Sequence, residues 1–161
     1  MDPHDIARLE AALAYAEKKH AEQTRIGGDP YITHPVAVAE IVAQWGFGTD
    51  CRLAALFHDL LEDTDATEAE IAALSSPEVL RAVKLLTKQT GYVMAEYVAA
   101  ICADPIARTV KAADRLHNLR CALVADKCFR RKYIAETLEW YMDLCPEIPE
   151  AVRALQASLE Q

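Results

Sequence analysis

The stretch Ala54-Ala55-Leu56-Phe57-His58-Asp59-Leu60-Leu61-Glu62-Asp63-Thr64 constrains this chain more than any other. Four ionisable side chains interrupt a run that is otherwise apolar enough to be core. Leu56, Leu60 and Leu61 can still point toward a core. On a helix, residues four apart share a face, so His58 would stand over Glu62 and Asp59 over Asp63. The spacing predicts one central helix over about Asp50 to Leu61. A histidine beside a carboxylate, with two more carboxylates one turn on, suits a divalent metal and an attacking water. The blander alternative is an acidic helix end in solvent. It fits less well, because these residues break up aliphatic ones instead of extending a charged surface.

Elsewhere the apolar residues recur at helical spacing. Ile6, Leu9, Leu13 and Ala16 mark a first helix from Asp5 to about Thr24. His20 at its end reads as a cap or surface residue. Arg25 precedes the break Gly27-Gly28-Asp29-Pro30, where paired glycines permit a tight turn. Pro35 has the fixed backbone angle of a first helical turn, and Val36, Val38, Ala39, Ile41 and Val42 follow. His34 therefore sits at a helix start, where, taken alone, it is most simply a cap. Thr67 and Glu70 have capping-box spacing before short helices at about Glu68 to Leu74 and Pro77 to Leu86. Tyr92 to Cys102 reads as a further helix. Asp104-Pro105 has the pattern of an N-cap with proline at the first position of the next, about Ile106 to Val124.

In that helix Val110, Ala113, Leu116 and Leu119 form the apolar stripe, which leaves Asp114 unaccounted for. Asn118 shares its face and Lys111 lies one turn before it; the plain alternative is a weak surface ion pair. His117 and Arg120 read as peripheral. Tyr133, Ile134, Leu138, Tyr141 and Met142 give another stripe, Pro146 and Pro149 break the chain, and Ala151 to Leu159 closes it. No stretch has the period-two pattern of a strand. The expectation is one all-α domain over 1–161, with about eight helices.

Composition excludes several function classes. The formal charge of −8 and pI near 5.1 argue against broad nucleic-acid binding, which needs a basic footprint. A small anionic ligand stays open, because a metal and a few local cations can reverse the field inside a cleft. No apolar run is long enough to span a bilayer and no signal-peptide pattern opens the chain, so the expectation is a soluble, cytoplasmic protein. Five scattered cysteines with no Cys-x-x-Cys pair give neither a disulfide framework nor a zinc knuckle.

His34, His58, Asp59 and Asp114, from three separated segments, make a credible metal site. Two imidazoles and two carboxylates favour Mn, Fe, Co or Zn over Ca. Four protein ligands leave positions for water and a phosphate oxygen, the layout of metal-assisted hydrolysis. Glu62 and Asp63 are then the natural general-base and water-positioning pair.

This constellation resembles the HD phosphohydrolase superfamily. The wider match is to the hydrolase domain of the Rel/SpoT type. His20-Ala21-Glu22-Gln23-Thr24-Arg25 and Pro30-Tyr31-Ile32-Thr33-His34-Pro35 are similar to its opening. His58-Asp59-Leu60-Leu61-Glu62-Asp63-Thr64 is similar to its His-Asp-x-x-Glu-Asp-Thr motif, and Asp114-Arg115-Leu116-His117-Asn118 to its Asp-Arg-Leu-His-Asn motif. The resemblance covers roughly residues 10–140, with motifs agreeing in order and spacing. It implies removal of the 3′-pyrophosphate of guanosine tetra- or pentaphosphate with Mn(II). It implies His34, His58, Asp59 and Asp114 as ligands and Glu62 and Asp63 as the groups that activate or orient water. It puts Arg25 and Asn118 at the nucleotide, with Lys111 and Thr137 as weaker contacts. The chain ends too early for the synthetase and regulatory domains of the long enzymes, so a standalone small hydrolase, similar to the metazoan SpoT homologues, is expected. Ile26 stands where relatives commonly carry a second basic residue, which predicts looser guanine selectivity.

Two other readings compete. One is a different nucleotide phosphohydrolase on the same site, such as an NADPH phosphatase or a nucleoside monophosphatase. The other is a non-catalytic nucleotide sensor, which need not retain both Glu62 and Asp63. All three take a small nucleotide as partner; the sequence does not indicate an oligomeric state.

Overall fold

The computed structural model describes residues 1–161. It contains ten α-helices and no strand: α1 Pro3–Lys19, α2 Thr33–Gln44, α3 Thr49–Phe57, α4 Leu60–Asp63, α5 Glu68–Leu74, α6 Pro77–Leu86, α7 Met94–Ala103, α8 Pro105–Cys121, α9 Lys127–Trp140 and α10 Glu147–Ser158. A 3-10 turn, Ala122–Val124, links α8 to α9.

The helix starts are set by local chemistry. Asp2, Thr67, Ser76, Asp104 and Asp126 each accept a backbone N–H of the first turn with the side chain. Thr67 and Glu70 form the expected reciprocal box. Two expectations fail at helix ends. The first helix stops at Lys19 instead of reaching Thr24, because the chain turns at His20 to enter the glycine loop. Pro149 does not break the chain: it lies in the first turn of α10, where its missing N–H has no helical acceptor to serve.

One contiguous cluster of 28 buried apolar residues draws on all ten helices. α8 runs through its centre and packs against α2, α3, α6, α7 and α10. Phe57 is fully buried and meets Tyr15 of α1 edge-to-face at 6.1 Å. Burying such a side chain contributes about 1.5–3 kcal/mol, so helices this short are held mainly by their neighbours. Charge enters this interior along α8, which buries Lys111, Asp114 and Arg115 alongside its apolar stripe and Asp104 at its N-cap. No helix is long and apolar enough to cross a membrane.

The largest departure lies at the opening motif. The expected central helix is two, α3 and α4, with His58 and Asp59 in the turn between them. This break is the main reason that ten helices replace about eight. Asp59 leaves helical geometry at φ −101° and ψ −3°, while Asp63 N–H still bonds Asp59 O at 3.0 Å. The kink lets Phe57 and Leu60 stay fully buried while Asp59 turns to one side.

Candidate metal centre

Three elements bring the candidate ligand set together. His34 sits in the first turn of α2, His58 and Asp59 at the α3–α4 break, and Asp114 in the middle of α8. The ligand atoms of His34, His58 and Asp59 lie within 4.8 Å of one another. Asp114 Oδ1 is 2.8 Å from His34 Nε2 and 3.3 Å from His58 Nε2, and Asp59 Oδ2 is 3.1 Å from His58 Nε2. Both histidines are almost wholly buried.

Each ligand is held from behind. His58 Nδ1 must carry a proton, because it donates to the carbonyl of Ala55 at 2.6 Å. Its Nε2 then faces the two carboxylates, buried and without a well-directed hydrogen bond to either. His34 Nδ1 lies 2.8 Å from His117 Nδ1, with the two rings edge to edge. Tyr31 donates its hydroxyl to Asp59 Oδ2 at 2.5 Å. Asn118 Nδ2 donates to Asp114 Oδ1 at 3.1 Å, and Lys111 Nζ lies 3.5 Å from Asp114 Oδ2. Converging imidazole nitrogens and carboxylate oxygens with outer partners on every ligand fit a divalent metal. The unpartnered Nε2 of His58 fits the same reading.

The electrostatics agree. Burial resists ionisation of Asp114, yet Lys111 and the two histidines hold its carboxyl well below the usual carboxylate range. Burial likewise opposes Asp59, and the adjacent His58 outweighs it, holding it at about 2. Burial lowers His34. Burial also acts to lower His58, but the Asp59 and Asp114 carboxylates override it and raise it well above its ordinary value. Two ionised carboxylates around His58 thus attract positive charge to this point. Asp63 at the rim is raised, first by burial and then by repulsion from Asp59 and Glu62, which makes it a better proton acceptor.

The cluster forms the floor of a polar cleft of about 340 Å³. Glu62 and Asp63 line it, with Glu62 Oε1 fixed by the backbone N–H of Lys88 at 2.7 Å. Lys111 and Asn118 line it too. A second, more apolar pocket of about 290 Å³ adjoins it, sharing Tyr31, Asn118 and Tyr133 as the common wall. Arg25 and Ile26 belong to this side pocket. Arg25 Nη2 donates to Asn118 Oδ1 at 2.9 Å, so a hydrogen-bonded chain runs from the side pocket through Asn118 to Asp114. The loop that presents Arg25 closes by a bridge between Thr24 and Pro30 and needs Gly27 and Gly28 at φ +104° and +98°.

The profile of the HD domain family matches residues 12–146. The chain belongs to the HD domain family. This HD domain is 34% identical to guanosine-3′,5′-bis(diphosphate) 3′-pyrophosphohydrolase of Aquifex aeolicus, over 88% of the chain and 22% of that protein. It is 36% identical to the bifunctional (p)ppGpp synthase/hydrolase SpoT of Escherichia coli, over 99% of the chain and 24% of that protein. A solved structure described as a metazoan ortholog of SpoT that hydrolyzes ppGpp superposes with a TM-score of 0.70 at 25% identity, covering 96% of this chain and 92% of that one. The HD domain thus spans about a quarter or less of the length of these curated relatives.

Of the residues singled out from sequence, His34, His58, Asp59 and Asp114 converge, and Glu62, Asp63, Lys111, Asn118 and Arg25 line the cleft or its side pocket. Thr137 does not. It is fully buried in α9, where its hydroxyl donates to Tyr133 O at 2.7 Å and accepts from Arg115 Nη1 at 3.3 Å. A helical hydroxyl facing the core in this way supports Arg115 instead of the cleft. Sequence reasoning missed Tyr31, Arg115 and His117. Tyr31, in the turn before α2, bonds Asp59, and His117, on α8, bonds His34, so neither partner is a sequence neighbour. Arg115, which follows Asp114 in the motif, is buried between the rings of Tyr133 and Tyr141, 4.2 and 4.3 Å from their centroids, and pairs with Glu136.

Proposed function

We propose that this HD domain is a metal-dependent hydrolase that removes the 3′-pyrophosphate of guanosine tetra- or pentaphosphate, with Mn(II) as the working ion. The observation that carries this reading is the junction between two compartments. An acidic, histidine-lined cleft suits a phosphate held beside a metal, and the apolar side pocket with Arg25 and Asn118 suits a nucleobase and its sugar. The names of the Aquifex and Escherichia relatives and of the superposable structure support the same substrate.

His34, His58, Asp59 and Asp114 would hold the ion. When bound, it supplies Lewis acidity at a phosphoryl oxygen and lowers the pKa of water. Asp63, raised by its neighbours, takes a proton from the attacking water, and Glu62, fixed by Lys88 N–H, orients that water. The water oxygen bonds to phosphorus as the bond from phosphorus to O3′ breaks, and the leaving O3′ takes a proton from solvent, giving GDP or GTP and pyrophosphate. Lys111 offsets charge on the phosphate while it keeps Asp114 ionised. Arg25 and Asn118 contact the nucleotide.

The test is an assay of the purified protein with Mn(II) against ppGpp, its adenosine analogue, NADPH and nucleoside monophosphates, with products resolved. Pyrophosphate and GDP from ppGpp are expected, together with measurable turnover of the adenosine analogue because Ile26 offers no donor to the base. Orthophosphate from NADPH or a monophosphate with ppGpp intact would overturn the assignment. So would binding of ppGpp without turnover.

A further inference from the structure

We propose that His117 is a positioning residue for the metal centre, whose Nδ1 accepts the Nδ1–H of His34 and so turns the His34 Nε2 lone pair toward the cluster. The inference rests on His34 being a metal ligand.

The geometry leaves few options. The two Nδ1 atoms are 2.8 Å apart, so one carries the shared proton and the other a lone pair. A neutral imidazole has one N–H and one lone pair, so the proton that His34 keeps on Nδ1 frees its Nε2. That Nε2 is the nitrogen directed at Asp114 Oδ1 and Asp59 Oδ2, 2.8 and 3.8 Å away. The His117 ring lies edge to edge with His34, at a centroid distance of 5.0 Å and an interplanar angle of 26°, the placement that points one Nδ1 at the other. Its far nitrogen, Nε2, lies 3.4 Å from Cys121 Sγ, one helical turn along α8. With Nδ1 as acceptor, Nε2 carries the proton and faces the Cys121 sulfur, which can accept it. His58 reaches the same end with a backbone carbonyl, Ala55 O. His34 has no carbonyl partner at Nδ1, and a side chain on a different helix performs the task. α8 therefore supplies the ligand Asp114 and, three residues on, the group that orients a ligand on α2.

Outer hydrogen-bond partners of metal-bound histidines are worth about 10–100-fold in metal affinity. The test measures Mn(II) affinity of the purified full chain by electron paramagnetic resonance titration, for wild type, His117→Phe and His117→Asn. Phe keeps a ring at this position and removes the acceptor. Asn restores an acceptor oxygen near the Nδ1 position. His117→Phe is expected to weaken Mn(II) by about 10–100-fold while the metal-free protein melts within a few degrees of wild type, and His117→Asn to recover most of the affinity. Equal affinity of wild type and His117→Phe would overturn the proposal, and so would a His117→Asn as weak as the Phe variant, since ring packing would then be the cause. A wild type that binds no Mn(II) would instead remove the metal-site reading itself. Independently of any variant, ¹⁵N shifts of the imidazoles in the Zn(II)-loaded wild type should show His117 protonated at Nε2; protonation at Nδ1 would overturn the assignment even if the variants fail to fold.

Discussion

The two ring nitrogens of His58 have separate roles: Nδ1 is fixed on Ala55 O, and Nε2 is left facing Asp59 and Asp114. His58→Ala therefore removes a proposed ligand, and metal content and activity should be lost together when both are measured on one preparation. Glu62 differs because it touches none of the ligands and is held by Lys88 N–H. Glu62→Gln should keep the metal and lower kcat, by less than the loss of about 10²–10⁴-fold expected for the proton acceptor Asp63, because Glu62 orients the water. Full activity in that variant would remove Glu62 from the chemistry. Arg25 and Asn118 also separate. A hydrogen bond to a charged group contributes about 1.5–3 kcal/mol, so losing either should weaken ppGpp at least roughly tenfold. Asn118 Nδ2 also donates to Asp114 Oδ1, whereas Arg25 reaches the cluster only through Asn118. Asn118→Ala should thus loosen the metal as well, and Arg25→Ala should not. Equal metal affinity in the two variants would show that the Asn118–Asp114 bond does not matter to the ion.

At the scale of elements, α8 sets the site, and its start is set by Asp104. The Asp104 carboxylate accepts the N–H of Ala107 at 2.9 Å and pairs with Arg81 Nε at 2.9 Å. Burial alone would raise its pKa, but the backbone bond and Arg81 outweigh burial and lower it. Because the folded value lies below the unfolded one, the ionised cap stabilises the fold above the unfolded pKa. That stability is lost as pH falls through the depressed folded value. Asp104→Ala should cost about 1–2 kcal/mol at neutral pH, read from denaturant midpoints, and the difference from wild type should shrink as the solution is acidified through the carboxylate range. A constant difference across that range would mean that the charge is irrelevant and only the cap shape counts. The α3–α4 break is the other deciding element. A continuous helix would keep His58 in register over Glu62; the turn instead lets Asp59 reach His58 Nε2 and Tyr31 while Leu60 stays buried.

For the whole molecule, the candidate ligands tie α2, the α3–α4 break and α8 into one centre, so metal binding and folding are linked. An ion that binds only the folded state at a hundred times its Kd stabilises by about 2.7 kcal/mol. For a chain of this size that corresponds to about 5–11 °C in Tm. Mn(II) should raise Tm by that order and a chelator should reverse it, in a thermal melt followed by circular dichroism. No shift at saturating Mn(II) would place the ion outside the folded state's site.

The helical class, the helix starts at Thr67, Asp104 and Pro105, and the six residues His34, His58, Asp59, Glu62, Asp63 and Asp114 were legible in the sequence. Period, capping chemistry and motif spacing are local, and they survive in a linear reading. What the tertiary structure alone decided is how the segments meet. The break at His58-Asp59 follows from packing Phe57 and Leu60 into one core while turning a carboxylate toward α8, a conflict that helical periodicity cannot register. The burial of Arg115 between two tyrosines depends on α9 lying across α8. The same placement sends Thr137 into the interior and away from the cleft. His117 reaches His34 across 83 positions of sequence. Such contacts are fixed by the mutual burial of helices distant in the chain, and no window of the sequence contains both partners.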